Sequence, residues 1–483
     1  MRALFVTNQL KTQFYHALAS RMRALGVPVS WISVSERWTD YLKAEGWRDD
    51  DILSLPRFGA EWSRPWTVGA QDIARLARIE ATAEVGLKNI LVMDRELSKK
   101  PSAETEGYIP VVTREIERFV LEKGVTHGFG EPTWAPEMIT SEVLRAHGRS
   151  YYMHHPVRIP SSRVGFYEGI FHDTLVEFAP AGDTSRTIAQ EAIAAVCERG
   201  QRPYYFARNM NPHRFKRHWL NEASVAIARG GEARHDHSVP GLLTRSRRRI
   251  VARRRAAQVQ RSGMFIAPPA NASRPFVLIL LHKQPEASVD VFGGALSNQL
   301  EVIRALARVL PYEFEIWVKE HAHSLGDRAL SYYRDLACIP GVRLIDPNAD
   351  TFGLIPRAAL TASVAGTACM EAGVMGYPAI TFGRVFFAPL LVSDGVNPFA
   401  MTRAGMSALL ERGRCWRDDP QRQARTLDFI TGCVAQSGEG RISDPVSDPT
   451  CIEPSNIERV AQLTVELMRA TAAPGSSQKG RAR

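Results

Sequence analysis

Three short stretches place residues able to handle a charged leaving group at the ends of apolar runs. Lys319-Glu320-His321 follows the run Phe314 to Val318. A cation and an imidazole there can neutralise an anion such as a phosphate while its bond breaks; the alternative is a surface Lys-Glu pair with a structural histidine. Ser363-Val-Ala-Gly366-Thr367 and the following residues to Glu371 read as a strand passing through a glycine turn into a helix. The N–H groups and positive dipole end of such a helix start attract an anion, and Gly366 permits close backbone approach. Glu371 lies one turn after Thr367 on the same face, where it can accept hydrogen bonds from ribose hydroxyls; a plain capped helix start is the alternative. The third stretch, His282-Lys283-Gln284-Pro285-Glu286, offers Gln284 and Glu286 to sugar hydroxyls, while His282 and Lys283 read equally well as ordinary loop polars.

The N-terminal half offers Glu131, which ends the strand-like GFGE. A lone carboxylate there suits a general base, or a nucleophile toward an anomeric carbon, and equally a cap for the next helix. Arg158 and Arg163, in PVRIPSSR, can hold an acidic group by bidentate pairing or be plain loop arginines. The histidines of MHHP and RHDH lack helical H-x-x-x-H spacing or partner cysteines, so metal-independent chemistry without a cofactor is expected.

These residues need elements to position them. The first strand-like run is Ala3 to Thr7, then come a helix (Gln13 to Leu25) and a strand (Val29 to Val34); the alternation continues with Asn89 to Asp94 (strand), Ile109 to Lys123 (helix), Val125 to Phe129 (strand), Ala135 to His147 (helix) and Ser150 to His154 (strand). A second series begins at Phe276 to Leu281 and runs through a helix (Ser297 to Leu310), strands at Phe314 to Val318, Val342 to Ile345 and Leu360 to Val364, a helix from Thr367, and a strand at Ala379 to Phe382. Such alternation predicts parallel sheets covered by helices, α/β in class, with ligands beyond the carboxyl ends of the strands in a cleft between two domains. The expected division is 1–200, a basic insertion or linker 201–265, a second domain 266–470, and a disordered tail 471–483.

With 483 residues, 45% of them apolar, one small domain and a largely disordered chain are both excluded. The net charge is +10, but residues 202–261 carry 15 Lys or Arg against three acids, so the rest is close to neutral. The run RSRRRIVARRR (245–255) is expected to attach to an anionic inner-membrane surface, with a solvated helix face as the alternative. No nucleic acid is expected, because few aromatics interleave with the arginines. Six widely separated cysteines and an N-terminus without signal-peptide character point to the cytoplasm, on the inner face of the membrane.

In order, LHKQPEAS, WVKEHAHSLGDR, YYRDLACIPGVRLI and SVAGTACMEAGVMGYPAITFG resemble the bacterial capsule polysaccharide biosynthesis family, which includes β-Kdo transferases. The likeness covers Phe276 to Pro389, and GFGEPTW and PVRIPSSRVGFY extend it more loosely. It implies a GT-B-like fold of two Rossmann-like domains facing a cleft, a nucleotide-sugar donor such as a CMP-Kdo-like one, and a glycan or lipid-linked acceptor. The family's K-E-H-P falls on Lys319, Glu320 and His321, with Ala322 where the family has Pro; its S-G-T…E falls on Ser363, Gly366, Thr367 and Glu371. Glycosyl transfer is the implied activity. A sugar-nucleotide 2-epimerase and a non-catalytic anion- or nucleic-acid-binding protein are the competing readings.

Overall fold

The computed structural model describes residues 1–64, 67, 69–178, 183–199, 241–321 and 324–472. The chain divides into two compact units, Met1–Gly182, Pro203–Gly241 and Cys433–Arg483 in the first, and Asp183–Arg202 and Leu242–Gly432 in the second.

The first unit is built on β1 (Ala3–Val6), β2 (Val29–Ser33), β3 (Ile52–Ser54), β4 (His127–Phe129), β5 (Ser150–Pro156), β6 (Arg163–Glu168) and a late strand, β12 (Ser437–Glu439). Their order is β12-β6-β5-β4-β1-β2-β3. β1 pairs in parallel with both β2 and β4, β4 with β5, and β2 with β3, whereas β6 and β12 join antiparallel. The run ALFV of β1 is buried throughout, as a central parallel strand covered on both faces must be. On one face lies the helix Thr12–Ala24, which buries Phe14, Tyr15, Leu18 and Met22 against Val460, Ala461, Val465 and Met468 of the helix Pro454–Thr471.

The second unit carries a five-stranded, all-parallel sheet of β7 (Phe276–Leu280), β8 (Glu315–Lys319), β9 (Val342–Ile345), β10 (Leu360–Ser363) and β11 (Ala379–Thr381), in the order β11-β10-β7-β8-β9. Both sheets therefore share one plan. The chain builds three strands outward from the first, then returns to lay the fourth and fifth on the first strand's other side, the doubly wound order. This α/β, Rossmann-like plan was expected. The switch points lie between β1 and β4 and between β7 and β10.

Three expectations are corrected. Asn89 to Asp94, read as a strand, lies in the helix Leu87–Met93: Leu87, Ile90 and Met93 are buried at a helical spacing, while Val92 is 69% exposed. A short apolar run carries no period of its own, and here packing on the helix Ala135–Ala146 decides. The helix Pro454–Thr471 belongs to the first unit rather than to a domain 266–470, and Asp183–Arg199 to the second rather than to 1–200. Residues 242–261 of the basic stretch form one helix of the second unit, with Val259 in its core. The HDH stretch, Ala322 and residues 473–483 lie outside the described residues. All six cysteines are free. Among the described residues no helix is long and apolar enough to cross a membrane.

Candidate functional site

At the switch point of the second unit, β7 is followed directly by Leu281-His282, and β10 ends in Ser363, followed by the turn to Gly366 and the helix Thr367–Val374. The His282 ring lies against that turn: its Nε2 accepts from the Ala365 amide at 3.1 Å, which places the proton of a neutral ring on Nδ1. Ser363 Oγ accepts from the Gly366 amide at 2.8 Å. A Cβ on Gly366 would meet Ser363 Oγ at 2.7 Å and His282 Cε1 at 3.5 Å, so glycine is needed for this close approach. The N-cap of the helix is Gly366 itself, which brings backbone rather than a side chain to the helix start, and Glu371 lies half-buried one turn along.

The His282 backbone is held from both sides. Its amide donates to Gln299 Oε1 at 2.8 Å, and its carbonyl accepts from Arg328 Nη2 at 2.6 Å. Arg328 in turn donates through Nη1 to Glu320 Oε2 at 2.7 Å, where the Tyr333 hydroxyl also donates at 2.8 Å. The side chains of Arg328 and Glu320 are 7% and 0% exposed, which makes this a buried ion pair. Glu320 Oε1 accepts from the His321 amide at 2.8 Å, so one carboxylate ties the His282 and His321 loops together. Lys319 is buried at the end of β8, its Nζ donating to the Pro347 carbonyl at 2.8 Å. The β8 triplet thus divides its labour: Glu320 is a structural pivot, Lys319 bridges to the loop after β9, and His321 stands half-buried beside them.

The third stretch divides in the same way. The Gln284 amide donates to Asp290 Oδ1 at 2.8 Å and the Ser297 carbonyl at 3.1 Å, and its Oε1 accepts from Gln299 Nε2 at 3.3 Å. These bonds brace the loop that Gln284 was expected to present to sugar hydroxyls. Glu286 is exposed, with Ser288 Oγ donating to it at 3.1 Å.

In the first unit, Asn8 and Lys11 follow β1, and Glu131 follows β4. Lys11 Nζ lies 2.5 Å from Glu131 Oε2, with side chains 17% and 26% exposed. Burial pushes the Glu131 pKa up, but the Lys11 ion pair outweighs it and holds the carboxyl below its ordinary value. Capping belongs instead to Glu137, whose Oε2 accepts from the Thr133 and Trp134 amides at 2.9 and 3.1 Å. Burial, with the like charge of Glu131 adding to it, pushes Glu137 up to about 8. Asn8 Nδ2 donates to Thr133 Oγ1 and Glu137 Oε1, each at 2.9 Å, and so sews the β1 and β4 loops together across the switch point.

Near the end of β5, burial and the Arg158 charge push His155 down to about 3, so its ring is neutral; Nδ1 donates to the Pro156 carbonyl at 2.9 Å, leaving Nε2 as acceptor. Arg158 itself has φ +73°, a left-handed backbone that costs a side-chain-bearing residue energy and recurs at functional sites. The Arg163 guanidinium donates to the Val434 carbonyl and to both the carbonyl and Oγ of Ser437, pinning β12 to β6. The β12 segment it anchors lines a polar cavity of about 410 Å³ with Arg441, Arg459, Glu439 and Glu453.

Asn8, Lys11, His155, Gln299 and Arg328 thus belong to the two clusters although their local sequence singled none of them out as a site residue. The available signal was position, immediately after β1 or opposite β7. Among the described residues no group of three or more His, Cys, Asp or Glu is arranged to hold a metal ion.

Two Rossmann-like units, each with polar side chains gathered at its switch point, define an α/β protein of doubly wound class. No family model and no curated protein matches the chain. Among solved structures it is similar to the KpsC β-Kdo 2,7 transferase of Thermosulfurimonas dismutans, at 14% identity over 62% of this chain and 80% of that one, with a TM-score of 0.28. It is also similar to the Methanocaldococcus jannaschii UDP-GlcNAc 2-epimerase in complex with UDP-GlcNAc and UDP, at 10% identity over 96% and 99% of the two chains, with a TM-score of 0.27. A third likeness is to the kitacinnamycin glycosyltransferase, at 10% identity over 97% and 98%, with a TM-score of 0.28. At TM-scores this low the functional reading rests on the residues of the chain itself.

Proposed function

We propose that this chain is a glycosyltransferase that moves a sugar from a nucleotide-sugar donor, such as a CMP-Kdo-like one, to a hydroxyl of a glycan or lipid-linked acceptor in surface-polysaccharide assembly. The observation that carries the reading is the second unit's switch point, where Gly366 at the N-cap of the helix Thr367–Val374 and the imidazole of His282 meet at the carboxyl ends of β7 and β10. The donor phosphate would lie at the start of the helix Thr367–Val374, with Glu371 accepting from ribose hydroxyls. His321 and Lys319 would offset charge on the departing phosphate as the sugar–oxygen bond breaks and its electron pair leaves with the nucleotide. Glu131 would take the proton of the acceptor hydroxyl as that oxygen bonds the anomeric carbon, or act as the nucleophile of a double displacement.

The test is a thermal-shift screen against CMP-, UDP-, GDP- and TDP-sugars, followed by a transfer assay in EDTA with the donor that stabilises the protein. Replacement of Lys319 or His321 by Ala is expected to lower turnover by roughly a hundredfold or more. Unchanged turnover in both variants overturns the site. Formation of an epimer from the nucleotide sugar alone overturns transfer.

Gly366→Ala gives a separate readout. The added methyl at 2.7 Å from Ser363 Oγ must displace either the turn or the hydroxyl. Overpacking of this kind costs about 1–3 kcal/mol of fold stability, read by urea unfolding, and the displaced turn is expected to weaken nucleotide affinity in calorimetry.

A further inference from the structure

The helix Leu242–Arg261 contains eight arginines and no acid in twenty residues. At 100° per residue, Leu243, Arg247, Ile250, Arg254 and Arg261 fall along one line, and Ala252, Ala256 and Val259 along the opposite one.

The structure gives the two lines different surroundings. Val259 is 1% exposed and packs in the core of the second unit. Gly326, at φ +102°, lies so close to the helix that a Cβ on it would reach the Ala252 carbonyl oxygen at 2.3 Å and the Ala256 Cβ at 3.2 Å. Arg255 Nη1 donates to the Asp327 carbonyl at 3.2 Å. The helix is thus seated on the turn that leads into Arg328, the residue that holds His282 and Glu320.

The opposite line faces outward. Leu243 and Ile250 are 89% and 52% exposed, and Arg247, Arg254 and Arg261 are exposed beside them. Among the described residues, Arg247, Arg253, Arg254 and Arg261 form no ion pair. So dense a positive face repels itself until an anionic partner covers it. Two large apolar side chains on the same line favour a partner with hydrocarbon beneath its phosphates, and no aromatic side chain of this helix is present to stack on bases.

We infer that the Leu243, Arg247, Ile250, Arg254 and Arg261 face docks on an anionic phospholipid bilayer, lying in the headgroup plane. Through Gly326 and Arg255 the docked helix then holds the Arg328 turn, and with it the His282 loop, at a set height above the lipid. This surface goes beyond sugar transfer, and its test needs no nucleotide sugar.

The full chain is sedimented with phosphatidylcholine vesicles, with and without phosphatidylglycerol. Binding is expected only with phosphatidylglycerol and is weakened by salt. The combined Arg247→Gln, Arg254→Gln and Arg261→Gln variant should bind roughly a hundredfold more weakly at unchanged melting temperature. Leu243→Ser with Ile250→Ser should weaken binding about tenfold while leaving the salt dependence as it was. Arg308→Gln with Arg412→Gln, exposed on other helices, should bind as the parent does. Equal binding to both vesicle types, full binding by the triple arginine variant, or displacement from vesicles by equimolar oligonucleotide overturns the inference.

Discussion

Arg328→Met is expected to destabilise the second unit by about 3–5 kcal/mol, because it leaves the Glu320 carboxylate buried without its cation. Among the described residues Glu320 keeps the Tyr333 hydroxyl and the His321 amide as donors, and its side chain is 0% exposed, so bulk water does not reach it to replace the guanidinium. Glu320→Leu combined with Arg328→Met removes both charges and should recover most of the loss, since the hydration given up by each ion is then no longer at stake. Urea unfolding of the two single variants and the double variant measures the coupling. A loss below about 1 kcal/mol in Arg328→Met would show that the pair is solvated in solution. The same variants separate stability from function: the double variant regains its fold but not the hydrogen bond to the His282 carbonyl, so nucleotide affinity should stay low.

Glu131→Gln is expected to cut turnover by roughly 10²–10⁴-fold, the range for a group that moves a proton in the transition state, while the first unit melts as before. Lys11→Met should leave the carboxylate in place and change when it ionises. The folded pKa of Glu131 now lies below its ordinary value because the Lys11 pair outweighs burial. Without the cation burial prevails, and the acid limb of the pH–rate profile should move to higher pH. The sign for stability follows from the same depression: the pair stabilises above the unfolded carboxyl pKa of about 4.3, and that contribution is lost as pH falls through the lower folded value. An acid limb that stays in place in Lys11→Met separates Glu131 from the proton transfer, whatever the fate of turnover.

Much of this architecture could be read in the sequence. The strands of the second unit lie within a residue or two of their expected spans because each is a buried β-rich run bounded by Gly, Pro or charged residues, as in RPFVLILLHK. Glu131, Ser363, Gly366 and Thr367 were legible for one reason: they stand directly at the carboxyl ends of such runs. Lys11, Asn8 and Arg328 were not, because their roles arise from which strands become neighbours. Nothing near Lys11 announces that β4 will lie beside β1, 120 residues away in sequence at the ion pair. The structural contacts of Arg163 were hidden for the same reason, since the strand it secures lies 274 residues further on. The helix Pro454–Thr471 displays an unmistakable apolar face but no mark of the sheet it will cover.

That helix has a bearing on how the chain is made. The first unit is begun at Ala3, yet the Phe14, Tyr15, Leu18 and Met22 face of its opening helix is sealed by residues 457–468. A ribosome adding 5–20 residues per second needs on the order of half a minute to reach them. All of the second unit emerges in that interval, so the half that starts first is completed last. During synthesis the bare apolar face is a surface for chaperones to shield, and a ribosome that stalls anywhere within the second unit releases a first unit without its lid.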